Sequence, residues 1–132
     1  MAEEGISPEV KSFITQHIDS VVQLEILLLL HARREQAFNA DEISRELRVD
    51  RAWVEGQLSN LCGRGLLNCS DQTPPLYQYA PRDNKLSAAV DALAREYAQR
   101  RVTVISLIFS KPVDKIQAFA DAFRIRKDKT DG

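Results

Sequence analysis

The sequence has few of the residues that build metal centres and disulfide frameworks. Its 132 residues include two cysteines and two histidines, and neither histidine lies near a cysteine. We therefore expect reduced thiols at Cys62 and Cys69, as in a cytoplasmic protein, with a redox pair as the alternative. No metal site and no cofactor is expected. A chain of this length can bury about two thirds of its unfolded surface, so its fold needs no disulfide or metal for stability.

Long apolar runs are also lacking. The two longest, residues 24–30 (LEILLLL) and 102–109 (VTVISLIF), are far shorter than the roughly 20 residues that a membrane-spanning helix needs. The first residues do not show the basic, apolar and small-residue order of an export signal. We expect no membrane insertion and a cytoplasmic location.

The motifs of the common enzyme classes are missing as well. The sequence has no glycine-rich phosphate loop, no Gly-x-Ser-x-Gly and no set of His, Cys or carboxylate residues at metal-ligand spacing. His17 and His31 are isolated from each other, and structural roles are expected for both. The sequence therefore predicts a protein that is not an enzyme and has no catalytic residues.

The chain has no large excess of charge of either sign. The net charge of −1 combines about −5 over residues 1–50, +1 over residues 51–82 and +3 over residues 83–132. Because no segment is strongly basic, any attraction to nucleic acid phosphates should be modest.

Helix starts, in contrast, are clearly marked. Ser7 before Pro8 predicts one N-terminus, because serine caps helices and proline fits their first position. Capping boxes, in which a side chain three residues on bonds back to the cap, are predicted at Ser20 with Gln23 and at Asn39 with Glu42. Asp50 is expected to cap the next helix.

Later elements follow from turn residues and periodicity. Residues 66–69 and 76–80 predict two strands around a loop at residues 70–75. One long helix is predicted over residues 83–109, ending before Ser110, Lys111 and Pro112. A last amphipathic segment over residues 113–129 places these apolar residues on one face: Val113, Ile116, Phe119 and Phe123.

The order of helix, short strand at residues 37–39, helix, turn, helix and hairpin resembles a winged helix-turn-helix. Residues 40–67 match that pattern at the apolar positions that close and pack its helices and lead into the wing: Ile43, Leu47, Val49, Val54, Leu58, Leu61, Gly65 and Leu66. The helices added at both ends are similar to those of bacterial regulators of the MarR-like type, which dimerise through them. The predicted fold is mainly α: a three-helix core with a β-hairpin wing, an added N-terminal helix and a long C-terminal dimerisation helix. Three parts are expected, residues 1–19, 20–82 and 83–132.

This resemblance implies a dimeric, sequence-specific, DNA-binding transcriptional regulator of bacterial type that binds duplex DNA. Its recognition helix would begin near Arg51. Arg51, Gln57 and Asn60 would then face bases, since arginine and amide side chains read base edges. Arg48 and Arg82 would contact phosphates, and Trp53 would lie at the edge of the contact surface.

The residues of the recognition helix leave a second interpretation open. At 100° per residue, its outward face carries small side chains: Ala52, Gly56, Ser59 and Gly63. The wing loop has no Lys or Arg and contains Asp71. The alternative is a winged-helix module that binds a protein partner, through the Ala52, Gly56 and Ser59 face or through the tail bearing Phe119 and Phe123. That tail is first expected to cap the protein's own core; a partner groove or an anionic surface are its other possible contacts.

Alternating steps of four and three residues in the C-terminal helix favour a homodimer. The apolar positions of this heptad pattern are Leu86, Val90, Leu93, Tyr97, Val104 and Leu107, and Arg100 interrupts them. The same positions could instead pack against the first two helices of the same chain, and the two arrangements can coexist.

Overall fold

The computed structural model describes residues 6–110, and over this range the chain is mainly helical. Six helices and one two-stranded sheet follow in the order α1 (Pro8–His17), α2 (Val21–Ala32), α3 (Ala40–Leu47), α4 (Arg51–Gly63), β1 (Leu67–Cys69), β2 (Tyr77–Tyr79), α5 (Asn84–Gln99) and α6 (Arg101–Ser110). The predicted winged helix-turn-helix order is therefore confirmed. The amphipathic segment expected over residues 113–129, with Phe119 and Phe123, lies outside the described residues.

The predicted caps form with the expected hydrogen bonds. Ser7 accepts from the backbone N–H of Val10, and Asn39 and Glu42 make a complete capping box at the start of α3. Asp50 accepts from the N–H groups at the start of α4. These caps satisfy backbone donors that a helix cannot satisfy itself, so they fix where each helix begins.

The capping box predicted at Ser20 is only half correct. The Ser20 hydroxyl accepts from the Gln23 backbone N–H at 3.1 Å, as expected. The Gln23 side chain, however, accepts from the backbone N–H of Asp19 rather than from that of Ser20. Gln23 is fully buried, and its amide is drawn into a network described below.

The wing is a short antiparallel hairpin joined to the core by one bridge. Leu67, Asn68 and Cys69 of β1 pair with Tyr79, Gln78 and Tyr77 of β2. Phe38, in the predicted short strand at residues 37–39, exchanges two backbone hydrogen bonds with Tyr77. Gly65, with φ +79°, turns the chain from α4 into β1, and a Cβ there would lie 3.1 Å from that of Arg82. Glycine is thus required at this turn.

The prediction of one continuous helix over residues 83–109 was wrong. The helix breaks at Arg100, whose φ of −135° and ψ of 51° leave the helical region, and α5 and α6 lie on either side. Both helices pack against α1. The break lies where Arg100 interrupts the apolar pattern, and it lets the apolar sides of both halves reach the protomer's own core.

The heptad positions lie inside that core. Leu86, Val90, Leu93 and Val104 are buried, and Tyr97 and Leu107 are partly buried against the same cluster. This is the arrangement that the sequence left open as the alternative to an interface. These residues are therefore occupied within the protomer, whereas the dimer itself stays a prediction, as does the three-part division of the chain.

Candidate nucleic-acid interface

The α3–turn–α4 unit holds its recognition helix by the predicted apolar stripe. Val54, Leu58 and Leu61 are each fully buried. In the turn, Arg48 adopts the left-handed conformation with φ 58°. The Val49 side chain packs partly buried against the core, and its backbone N–H bonds to the Ser44 carbonyl at 3.1 Å. The turn and the inner stripe together fix which side of α4 faces outward.

Three arginines surround the turn and the start of α4. Arg45 pairs with Asp41 at 2.6 Å and Arg51 pairs with Glu55 at 3.4 Å, each one helical turn away. Arg48 makes no ion pair with any residue from 6 to 110. All three side chains are exposed. Exposed pairs of this kind are worth less than about 1 kcal/mol, so phosphates could compete for both paired arginines.

The outward face of α4 is open, as predicted. Ala52, Gly56, Ser59, Asn60 and Gly63 are all exposed. A Cβ added at Gly56 or Gly63 would meet nothing within 4 Å. No described element covers this face, so another molecule could approach the α4 backbone closely.

Trp53 lies at one edge of this face and is 48% exposed. It lines a cleft of about 320 Å³ together with the start of α2 and the end of α6: Asp19, Ser20, Val21, Val22, Ile108 and Phe109. Its predicted place at the edge of a DNA contact surface stays a prediction. Its exposed ring leaves room for a contact with a second molecule.

Gln57, predicted to face bases, points elsewhere. It is half-buried, and its Oε1 accepts from Gln23 Nε2 at 2.9 Å. Gln57 lies between the buried stripe and the open face of α4, so its side chain can turn toward either one. The fully buried Gln23 amide needs a partner, because an unpaired polar group in the core costs stability. Gln57 is thereby held inward and away from the open face.

The same network contains a residue that sequence reasoning missed, Arg64. Its side chain is 27% exposed. The guanidinium donates to Gln23 Oε1 at 3.1 Å, to Asp19 Oδ2 at 2.7 Å and to the His17 backbone carbonyl. The signal was Gln23, a polar residue at the start of the mostly apolar helix α2, whose amide needs hydrogen-bond partners if it is buried. Arg64 therefore ties the end of α4 to the junction of α1 and α2.

The wing carries little positive charge. Arg82 follows β2, folds over Gly65 at the base of the wing and lies 4.0 Å from the Asp83 carboxylate. Burial, followed by the charges of Arg64 and Arg82, lowers the pKa of His17. Arg82 is exposed and lies beside residues of α1 at the base of the wing, rather than at its tip.

His31 lies in the interior of the fold, where it contacts residues of α5 and β2. It is buried, with Nε2 2.8 Å from Asp91 Oδ1 and its ring edge-on to Tyr79. Among residues 6–110 no group of three His, Cys, Asp or Glu side chains is arranged to hold a metal ion.

Over the same part of the chain, no single helix is long and apolar enough to cross a membrane.

The architecture is that of a winged helix-turn-helix with helices added at both ends. Sco5413, a MarR family transcriptional regulator from Streptomyces coelicolor, has a similar structure: 17% identity, 97% of this chain and 89% of that chain covered, and a TM-score of 0.55. Two structures of mutants of ZitR from Lactococcus lactis also match, with 21% and 22% identity, 80% and 81% of this chain, 73% and 74% of those chains, and TM-scores of 0.47 and 0.45.

The Sco5413 structure confirms the predicted MarR-like winged-helix fold. At such low identity the likeness relates the folds. No protein-family model matches the sequence, and no curated protein matches it.

Proposed function

We propose that this protein is a transcriptional regulator that binds duplex DNA through α4. The open outward face of α4, with arginines around its N-terminal end, carries this proposal. In helix-turn-helix proteins the N-terminal residues of the second helix contact base edges in the major groove. Arg51 and Asn60 would face bases, Arg48 and Arg82 would contact phosphates, and Trp53 would border the groove. A cytoplasmic, bacterial regulator without a cofactor fits this proposal.

The arginines at the turn should have separable roles. Arg51→Ala is expected to reduce the preference for a selected duplex over a scrambled one by about 1–3 kcal/mol, since an arginine that reads a base confers that much discrimination. Arg48→Ala should weaken both duplexes alike and make the slope of log affinity against log salt shallower by about 1 for each phosphate that is no longer neutralised. Fluorescence anisotropy with a duplex selected by the protein from a random pool measures both.

Arg95→Ala, on the exposed surface of α5, is the control for these variants. It should leave both affinities unchanged. If Arg51→Ala and Arg48→Ala behave like Arg95→Ala, α4 does not read DNA.

We infer that the active form is a homodimer, as two half-sites about one helical turn apart require. Because the heptad residues are buried in the protomer, the outer side of α6 is the surface that supports this proposal. It bears Val102, which is 77% exposed, and Phe109, which is 62% exposed. Val102→Arg is expected to yield folded monomers in sedimentation equilibrium, whereas Leu93→Lys should unfold the chain. A wild-type protein that stays monomeric at high concentration would contradict the dimer.

A protein-interaction module remains the second candidate, favoured by one observation. Small exposed residues leave the α4 backbone accessible, and the half-exposed Trp53 ring stands at the edge of the same face. Exposed aromatic side chains are frequent anchors of protein interfaces. DNA binding that depends on α4 would count against this candidate.

A further inference from the structure

The cleft beside Trp53, at the edge of the recognition helix, is lined mainly by apolar side chains. It has a volume of about 320 Å³ and lies between α4, the start of α2 and the end of α6. Three large apolar side chains are exposed between residues 6 and 110, and two of them, Trp53 and Phe109, line this one cleft. Exposed apolar side chains that cluster in this way mark a surface that another segment or molecule covers.

The chain itself continues from the rim of this cleft. Phe109 lines the cleft, the described part of α6 ends at Ser110, and residues 111–132 follow. Because proline does not fit the interior of a helix, the chain is expected to change direction at Pro112. Val113 lies within about 11 Å of Ser110, since an extended residue spans at most about 3.6 Å. The segment that follows α6 therefore begins next to the cleft.

The sequence of this segment matches the chemistry of the cleft. Its apolar residues recur in steps of three, three and four, as on one side of a helix: Val113, Ile116, Phe119 and Phe123. A helix of this kind binds by laying its apolar side into an apolar groove. Each phenylalanine ring can bury about 150 Å² or more of its surface in such a contact.

We propose that residues 113–123 dock by their apolar side in the cleft of the same chain and cover Trp53. A tether of a few residues gives this segment an effective concentration on the order of millimolar. A second copy or another protein at micromolar concentration would have to bind roughly a thousand times more tightly to fill the cleft to the same extent. The docked segment connects the recognition helix to the end of α6.

The fluorescence of Trp53 reports on this cleft alone, because the chain has a single tryptophan. In the full chain, Phe119→Ser combined with Phe123→Ser should shift the emission to longer wavelength and increase quenching by acrylamide, since the indole loses its cover. Asp114→Ser combined with Asp121→Ser, on the opposite side of the predicted helix, is the matched control and should keep the wild-type emission. Circular dichroism shows whether each variant is folded. Wild-type emission and quenching in the folded phenylalanine variant would overturn the proposal.

Two further measurements identify what occupies the cleft. Val102→Arg, expected to yield monomers, should keep Trp53 as shielded as in the wild type, and exposure of the indole in these monomers would assign the cleft to a second copy. On irradiation, Phe119→p-benzoylphenylalanine should cross-link within one chain to the tryptic peptide 12–33, from the start of α2, or 52–64, which contains Trp53. Cross-links that join only two chains, or that reach neither peptide, would overturn docking within the chain, and this result does not depend on the folding of the phenylalanine variant.

Docking and DNA binding are tested separately, because none of these measurements uses DNA. A protein that binds no duplex but gives the cross-links within the chain would contradict the proposed function and still establish the docked segment. A protein that binds duplex DNA with Trp53 equally exposed in the wild type and the phenylalanine variant would support the proposed function and overturn the docking.

Discussion

Replacing Arg64 by alanine is expected to lower the free energy of unfolding by about 2–3 kcal/mol. The guanidinium donates to the fully buried Gln23 amide, to the Asp19 carboxylate and to the His17 carbonyl. Hydrogen bonds to charged groups contribute about 1.5–3 kcal/mol, and the variant leaves acceptors without this donor. Chemical denaturation followed by circular dichroism measures the change.

Removing Arg64 should also alter the pH dependence of stability. In the folded protein the pKa of His17 lies below its ordinary value of 6.5, first through burial and then through the charges of Arg64 and Arg82. The unfolded chain therefore binds the proton more readily, and the contribution of His17 to stability is lost as pH falls below about 6.5. In Arg64→Ala the pKa of His17 should rise toward its ordinary value, which proton NMR of the imidazole can follow.

Arg101→Ala is the matched control for Arg64→Ala. Arg101 also pairs with a carboxylate, that of Glu25 at 3.2 Å, but on the surface. Exposed pairs are worth about 1 kcal/mol or less, so this variant should stay close to wild type. If both variants lowered the free energy of unfolding equally, the hydrogen bonds of Arg64 would stabilise the fold no more than a surface ion pair does.

Gly56→Leu is expected to reduce DNA affinity at least tenfold while leaving the fold intact. The branched side chain would stand on the outward face of α4, where DNA must come close. A Cβ at Gly56 meets nothing within 4 Å, and leucine favours helix over glycine by up to about 1 kcal/mol. Anisotropy measures the affinity, and thermal unfolding should show equal or greater stability.

A control and a further variant of α4 define what this face contacts. Arg95→Ala, on the exposed surface of α5, should bind DNA as well as wild type. Glu55→Lys removes the carboxylate that pairs with Arg51 and adds a positive charge, so non-specific DNA binding should strengthen. If Glu55→Lys leaves DNA affinity unchanged while Gly56→Leu abolishes capture of a protein partner, the interaction module is the better account.

Local chemistry made most of the fold predictable. Ser7, Asn39 and Asp50 mark helix starts through bonds to backbone groups a few residues away, so the sequence carries the information locally. The break at Arg100 was not predictable in this way. An interrupted heptad fits one long helix as well as two, and packing of both halves against the protomer's own core decides between them.

The candidate site was predictable in outline and less so in detail. Helical periodicity placed Val54 inside and Gly56 outside, as the structure has them. Gln57 lies between these two sides, and its direction depends on the buried Gln23, a residue from another helix.

Titration of the wild-type protein with the selected duplex at two salt concentrations, about 50 and 200 mM, tests the central claim most directly. If α4 and its few arginines bind DNA, affinity should fall with a log–log slope of about −3 to −5, corresponding to roughly 3–6 phosphates contacted per dimer. Binding should also be lost in Gly56→Leu. Absence of salt-dependent binding, or Gly56→Leu binding as tightly as wild type, would contradict DNA recognition by this helix.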